Sequence, residues 1–170
     1  VVEDSALKEL YELTKWGATS FNCSPLRLVF LKSEEAKNRI DPYLMDSNKV
    51  SVKNAPVCVI IGMDTKFFTD LPKNFTAMDA KIFFENNEEL ANATAFRNSS
   101  LQAGYFLKAV NALGLDTGAM SGFDNNGVDN EFFKDTSIKS NFLCTLGYGI
   151  EPKGHIRGAR YSFDEVAKII

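Results

Sequence analysis

The chain has 170 residues, 45% hydrophobic and 24% charged, with a net charge of −3. That is one domain's length, 1–170, with enough apolar residues to bury a core, and it excludes a disordered tail. An acidic balance with pI near 5.3 argues against coating nucleic acid, which needs a basic excess. No apolar run approaches the ~20 residues that span a bilayer, so neither nucleic acid nor membrane is an expected partner. Val1-Val2-Glu3-Asp4 lacks the basic start and apolar stretch of a signal peptide, which makes a soluble cytoplasmic domain the expectation. Cys23, Cys58 and Cys144 are odd in number and widely spaced, the usage of reduced thiols rather than a disulfide framework. His155 is the single histidine, so a His-rich metal site and a Ser-His-Asp arrangement are poorly supported and no metal is expected. Four tripeptides, at Asn22, Asn74, Asn92 and Asn98, fit the N-glycosylation pattern; without a secretory signal they read as chance.

In chain order, Asp4 to about Lys15 predicts a helix with Leu7, Leu10, Tyr11 and Thr14 on one face, Asp4 or Ser5 as cap and Gly17 as stop. Ala18 to Pro25 is a polar, turn-rich loop. Leu28–Leu31 reads as a short buried strand, and Ser33-Glu34-Glu35 opens a helix with acids where its dipole favours them. Pro42 ends that helix or starts the next. Val57–Ile61 has the β-branched pattern of a central strand covered on both faces. Phe67 to Asn87 is aromatic but irregular, predicting short helices and loops. Glu88 to Leu113 is the longest helix; its small residues Ala91, Ala93, Ala95, Ala103, Gly104 and Ala109 predict a buried central helix ending at Gly114. A Gly-rich loop is expected from Asp116 to Asp124, then an Asn125-Asn126-Gly127 turn and a short helix through Phe133. Asn141–Tyr148 predicts a second strong strand, and Ser162-Phe163-Asp164-Glu165 a capping box. Helices and strands that mix without regular alternation give an α+β class.

Nucleotide-binding signatures of the P-loop and Rossmann types are missing. Gly118-Ala119-Met120-Ser121-Gly122 is not a nucleophile elbow, because its serine sits one place late. Two loops stand out, Thr19–Ser24 and Asp116–Asp124. Their small side chains and open main-chain N–H groups suit the edge of a flat heteroaromatic ligand, although two ordinary turns would have the same composition. Arg157 and Arg160, flanking Gly158-Ala159, could hold a phosphate or be solvated surface residues. Arg97, inside the small-residue helix, is expected to be a buried structural tie. His155 reads as a surface loop residue.

Four segments in one register carry a resemblance: Trp16-Gly17-Ala18-Thr19-Ser20-Phe21-Asn22-Cys23-Ser24-Pro25, Thr94-Ala95-Phe96-Arg97-Asn98-Ser99-Ser100-Leu101-Gln102, Gly114 through Asp124, and Asn141 through Gly149. Together they resemble the FMN-dependent nitroreductase family, and within it the malonic semialdehyde reductase (3-hydroxypropionate dehydrogenase) branch. The resemblance implies an α+β nitroreductase-like fold, a central mainly antiparallel sheet flanked by helices, in an intertwined homodimer with two FMN molecules at the subunit interface. It implies that Ser20, Asn22 and Ser24 contact the flavin and that Asn48 and Lys49 reach its ribityl chain or ring. Met120, Ser121 and Gly122 would face flavin N5 and O4, while Arg157, with Arg160 as a second candidate, would hold the phosphate. Members of this branch carry an Arg-Thr or Arg-Ser phosphate-binding segment ahead of the first helix, and this chain starts at Val1, after that point. Ala18 and Ala119 stand where the family commonly has proline, leaving both loops less pre-organised.

The resemblance further implies ping-pong hydride transfer from NADH or NADPH through FMN to a small oxidised substrate, malonic semialdehyde giving 3-hydroxypropionate. No catalytic side chain is named for it, and Arg27 and Arg97 are the candidates to meet the substrate carboxylate. A broad nitro- or quinone reductase and a non-catalytic flavin-binding protein are the alternatives.

Overall fold

The computed structural model describes residues 1–149 and 158–170. Its first helix, α1 (Asp4–Thr14), buries Leu7, Leu10 and Thr14, but Tyr11 is half-exposed. Glu3, not Asp4 or Ser5, is its N-cap, without a side-chain cap bond. The expected buried strand is an edge strand, β1 (Leu26–Leu31), half-buried along most of its length, because only one side of it has a neighbour. Ser33 caps α2 (Glu34–Ile40) by accepting from the Ala36 N–H. Pro42 lies within the first turn of a 3₁₀ segment, Asp41–Tyr43, that follows α2 directly, and α3 (Asp46–Asn54) comes next.

The apolar run at Val57 becomes β2 (Val57–Asp64), buried through its first six residues. The aromatic stretch forms short 3₁₀ turns around α4 (Leu71–Asn74). Asn87 caps the long helix α5 (Glu88–Ala112) through the Leu90 N–H, and Gly114 follows it at φ +72°, the left-handed conformation that glycine adopts without strain. The expected Gly-rich loop is in its first half a strand, β3 (Asp116–Met120). Glycine is tolerated in it because the Thr145 side chain fills the space: a Cβ on Gly118 would lie 2.6 Å from Thr145 Oγ1. The expected Asn-Asn-Gly turn is instead the first turn of α6 (Asn125–Phe132). The last strand, β4, covers Ile138–Gly147, and the capping box of Ser162 and Glu165 opens a short α7 (Phe163–Val166).

The strands form one antiparallel sheet in the order β1-β2-β4-β3. Alternate residues of β2 and β4 point to opposite faces. Val57, Val59, Ile61, Cys144 and Leu146 meet α1 and α5 through Leu10, Ala103, Phe106 and Val110. Cys58, Ile60 and Leu143 meet the α2, α3 and α6 side through Ile40, Val52 and Val128. A third cluster, of Cys23, Phe67, Leu71, Phe84, Ala91 and Ala95, lies under the loop that leads into β1. A bulge between Ile61 and Gly62 leaves Asn141 of β4 unpaired in the ladder, and its side-chain amide donates to Ser99 and Ser100 of α5. All three cysteines are free and buried.

Candidate functional site

The first candidate locus lies where β3 ends. Met120 is the last strand residue, paired with Leu143, and Ser121 and Gly122 leave the sheet toward the start of α3. The Gly122 carbonyl accepts from the Met45 N–H at 3.0 Å and from Asn48 Nδ2 at 2.8 Å. Glycine leaves room for this approach: a Cβ there would come within 2.8 Å of Asn48 Nδ2 and 2.9 Å of Met45 Sδ and would push one of these side chains aside. The N–H groups of Ser121 and Gly122 have no acceptor among the described residues, and Ser121 is exposed. Two adjacent free main-chain donors are the chemistry that a heteroaromatic edge with ring nitrogen and carbonyl oxygen requires. Lys49 stands one residue along, paired with Asp46 at 3.0 Å; hydrogen bonding to that carboxylate raises its pKa, so its positive charge is secure.

The second locus is the loop before β1. Ser20–Asn22 is a 3₁₀ turn in which Phe21 and Asn22, and then Ser24, have φ of +51°, +49° and +40°. The Phe21 ring is held edge-on to Phe75 at 5.3 Å and beside Phe83 and Phe84. Asn22 Nδ2 donates to the Asn74 carbonyl, and the Ser24 N–H donates to Thr19 Oγ1. The hydroxyls of Ser20 and Ser24 are left unengaged among the described residues. A polar pocket of about 470 Å³ opens beside this loop, with Trp16, Asn22, Ser24, Arg27 and Asn74 in its wall.

The two loci are not brought together within one chain. The loop feeds β1 and the Ser121–Gly122 segment leaves β3, and these strands are opposite edges of the sheet, about 14 Å apart at ~4.8 Å per strand step.

The arginines divide. The guanidinium of Arg27 donates to Asp64 Oδ2 at 2.7 Å and to the carbonyls of Ser24 and Leu26, so it ties the loop to the end of β2. Arg97 is exposed rather than buried and forms no ion pair among the described residues; the expected structural tie is absent because its turn of α5 faces outward. Arg160 is exposed and donates to the Gly158 and Ala159 carbonyls. Arg157 and His155 lie outside the described residues.

Sequence reasoning missed Asn98 and Gln102, buried on α5 and bonded to the segment that includes the second locus. The available signal was amide side chains recurring at i, i+4 within the apolar stripe of a helix. No cluster of His, Cys, Asp or Glu among the described residues could hold a metal, and no described helix is long and apolar enough to cross a membrane.

The nitroreductase family model matches residues 1–149. A protein of Burkholderia lata with the provisional name NADH dehydrogenase/NAD(P)H nitroreductase is 51% identical over 169 residues, 99% of this chain and 86% of its own. One of the same provisional name from Cupriavidus pinatubonensis is 48% identical over 171 residues, 99% of this chain and 87% of its own. A Bacillus subtilis protein described as a nitroreductase superposes with TM-score 0.87 at 20% identity, over 99% of this chain and 89% of that one. Another so described, from Exiguobacterium sibiricum and solved with FMN, gives 0.84 at 16% identity, over 99% and 88%. The sheet with its flanking helices is therefore a nitroreductase fold, and the chain belongs to the nitroreductase family.

Proposed function

We propose that the chain binds FMN and transfers hydride from NADH or NADPH to a small oxidised substrate, with malonic semialdehyde, giving 3-hydroxypropionate, as the preferred one. The observation that carries the reading is the pair of free N–H groups at Ser121 and Gly122, set by the clasp of Asn48 and Met45 on the Gly122 carbonyl. That donor set fits the edge of a flavin that carries N5 and O4.

FMN, when bound, would supply two-electron hydride chemistry between the nicotinamide and the second substrate. This chain's residues bind and orient. Ser121 and Gly122 hold the ring edge, with Met120 as the end of the strand that presents them, and Asn48 and Lys49 stand beside it. The ammonium of Lys49 stabilises negative charge that develops nearby. Ser20, Asn22 and Ser24 offer hydroxyl and amide groups to the flavin from a second copy of the chain, which accounts for the separation of the two loci. Arg157, with Arg160, is assigned to the phosphate. Of the two arginines assigned to the substrate carboxylate, Arg97 is the freer, since Arg27 is already engaged by Asp64.

A homodimer is part of this reading. Leu90, Phe96 and Leu101 are exposed along α5, Trp16 is 81% exposed, and Tyr161, Phe163, Val166, Ile169 and Ile170 are exposed among the described residues. The open edge of β1 and the adjoining groove of about 790 Å³, walled by Leu7, Tyr11, Phe30 and Ala36, offer cover for such a segment from a second copy.

The test is spectroscopic and then kinetic. Purified protein is expected to be yellow and to release FMN rather than FAD on denaturation; protein that gains no flavin spectrum with excess FMN refutes the assignment. Steady-state rates on malonic semialdehyde and on a panel of nitroaromatics and quinones then separate the substrate classes, with kcat/KM for the semialdehyde expected to be the larger.

A further inference from the structure

We infer that Asn98 and Gln102 are positioning residues for the cofactor-facing loop, one helical turn apart on the buried face of α5 and gripping the two ends of the segment from Ser20 to Leu26. This rests on the reading that Ser20, Asn22 and Ser24 face FMN. The Ser20 N–H donates to Asn98 Oδ1 at 2.9 Å, and the Leu26 N–H donates to Gln102 Oε1 at 3.0 Å. Both side chains are 4% exposed. The Asn98 amide has its own orientation fixed, since Nδ2 donates to the Thr94 carbonyl at 2.9 Å and so turns the oxygen toward the loop.

The segment between the two grips needs them. It holds three non-glycine residues at positive φ, Phe21, Asn22 and Ser24, a conformation that persists only where the surroundings over-determine it. No glycine stands between Ala18 and Leu26 to relieve it. Around them the buried side of helix α5 carries Ala91, Ala95, Ala103 and Phe106, with Thr94 and Ser99 as its other buried polar residues. Asn and Gln among these carry a desolvation penalty that only bonded partners offset. Those partners are the main-chain N–H groups at the two ends of the segment. Phe21, seated among Phe75, Phe83 and Phe84, fixes its middle. The hydroxyls of Ser20 and Ser24 are thereby arranged before any ligand arrives, and the ordering cost is not drawn from binding.

The experiment pairs amide hydrogen exchange on the apoprotein with FMN and riboflavin titration of Asn98→Leu, Gln102→Met and Asn98→Asp. The first two keep side-chain bulk and remove the acceptor; the third keeps an acceptor for the Ser20 N–H but loses the donor to the Thr94 carbonyl. Asn87→Ala, which unseats the cap of the same helix, is the control for lost stability. In Asn98→Leu and Gln102→Met, exchange in residues 19–26 is expected to quicken and affinity for both flavins to fall about tenfold. Asn98→Asp is expected to keep more of both than Asn98→Leu, and Asn87→Ala is expected to leave flavin affinity unchanged. If Asn98→Leu does not fold, Gln102→Met makes the same test at the other end. Unchanged exchange in 19–26 overturns the inference. Faster exchange with unchanged flavin affinity shows that the grip exists but that the loop does not face the flavin, which refutes the positioning role and identifies the underlying reading as the failure. Affinity lost equally in Asn87→Ala reduces the effect to general stability and overturns it as well.

Discussion

Burial pushes the thiols of Cys23 and Cys144 up to about 11 and that of Cys58 to about 12, from an ordinary 9.0. Thiolate is the reactive form, so in the native state all three are expected to resist alkylation at pH 8, reacting only after unfolding; rapid labelling of the folded protein would contradict this burial. The same shifts set a pH dependence. The folded-state values lie above the unfolded one, so the unfolded chain releases these protons first. Their contribution to stability is whole below pH 9.0 and is lost as pH rises through about 11 to 12. Denaturant midpoints between pH 8 and 11 are expected to fall, and Cys58→Ala to flatten that fall.

Helix α5 is the element on which the rest is registered. Its buried face carries the α1 contact, the Asn98 and Gln102 bonds and the Ser99 and Ser100 hydroxyls that meet the bulged Asn141. Its outer face leaves Phe96, Arg97 and Leu101 in solvent. The passage from α1 is equally tight, since a Cβ on Gly17 would overlap the Tyr105 ring, whose hydroxyl donates to the Ala18 carbonyl. Gly17→Ala is expected to destabilise the protein by about 1–3 kcal/mol through overpacking, read as a lower urea midpoint at unchanged m-value. A neutral result would mean that the ring swings aside at no cost.

At the scale of the molecule, a chain whose described residues leave this much apolar surface exposed and a sheet edge unpaired is expected to be a dimer by light scattering. Phe96→Asp and Leu101→Lys on the outer face of α5 are expected to shift it toward monomer and to lower FMN affinity in parallel, because the two loci then cannot meet. A monomer that binds FMN as tightly as wild type would contradict a shared site.

The family was legible in the sequence because four short motifs, Trp16–Pro25, Thr94–Gln102, Gly114–Asp124 and Asn141–Gly149, each read within about ten residues and stand in one register, in order and with their spacing kept. The central strand Val57–Ile61 was equally plain, since burial on both faces leaves an unbroken β-branched run. What the linear pattern could not decide was which side of an element has a neighbour. Alanine and serine suit a buried helix or a helix with one bare face, so the outward turn at Arg97 appears only once α1 and the sheet have taken the other side. Arg27 could be read as a substrate ligand until β2 placed Asp64 within 2.7 Å of it. A sequence of glycine and small residues reads as loop, and Asp116–Met120 is a strand because β4 pairs with it and Thr145 fills the gap at Gly118. Composition and periodicity therefore determined the class and the motifs. Long-range packing alone decided which polar groups are engaged, because a hydrogen bond or an ion pair depends on a partner that can be dozens of residues away.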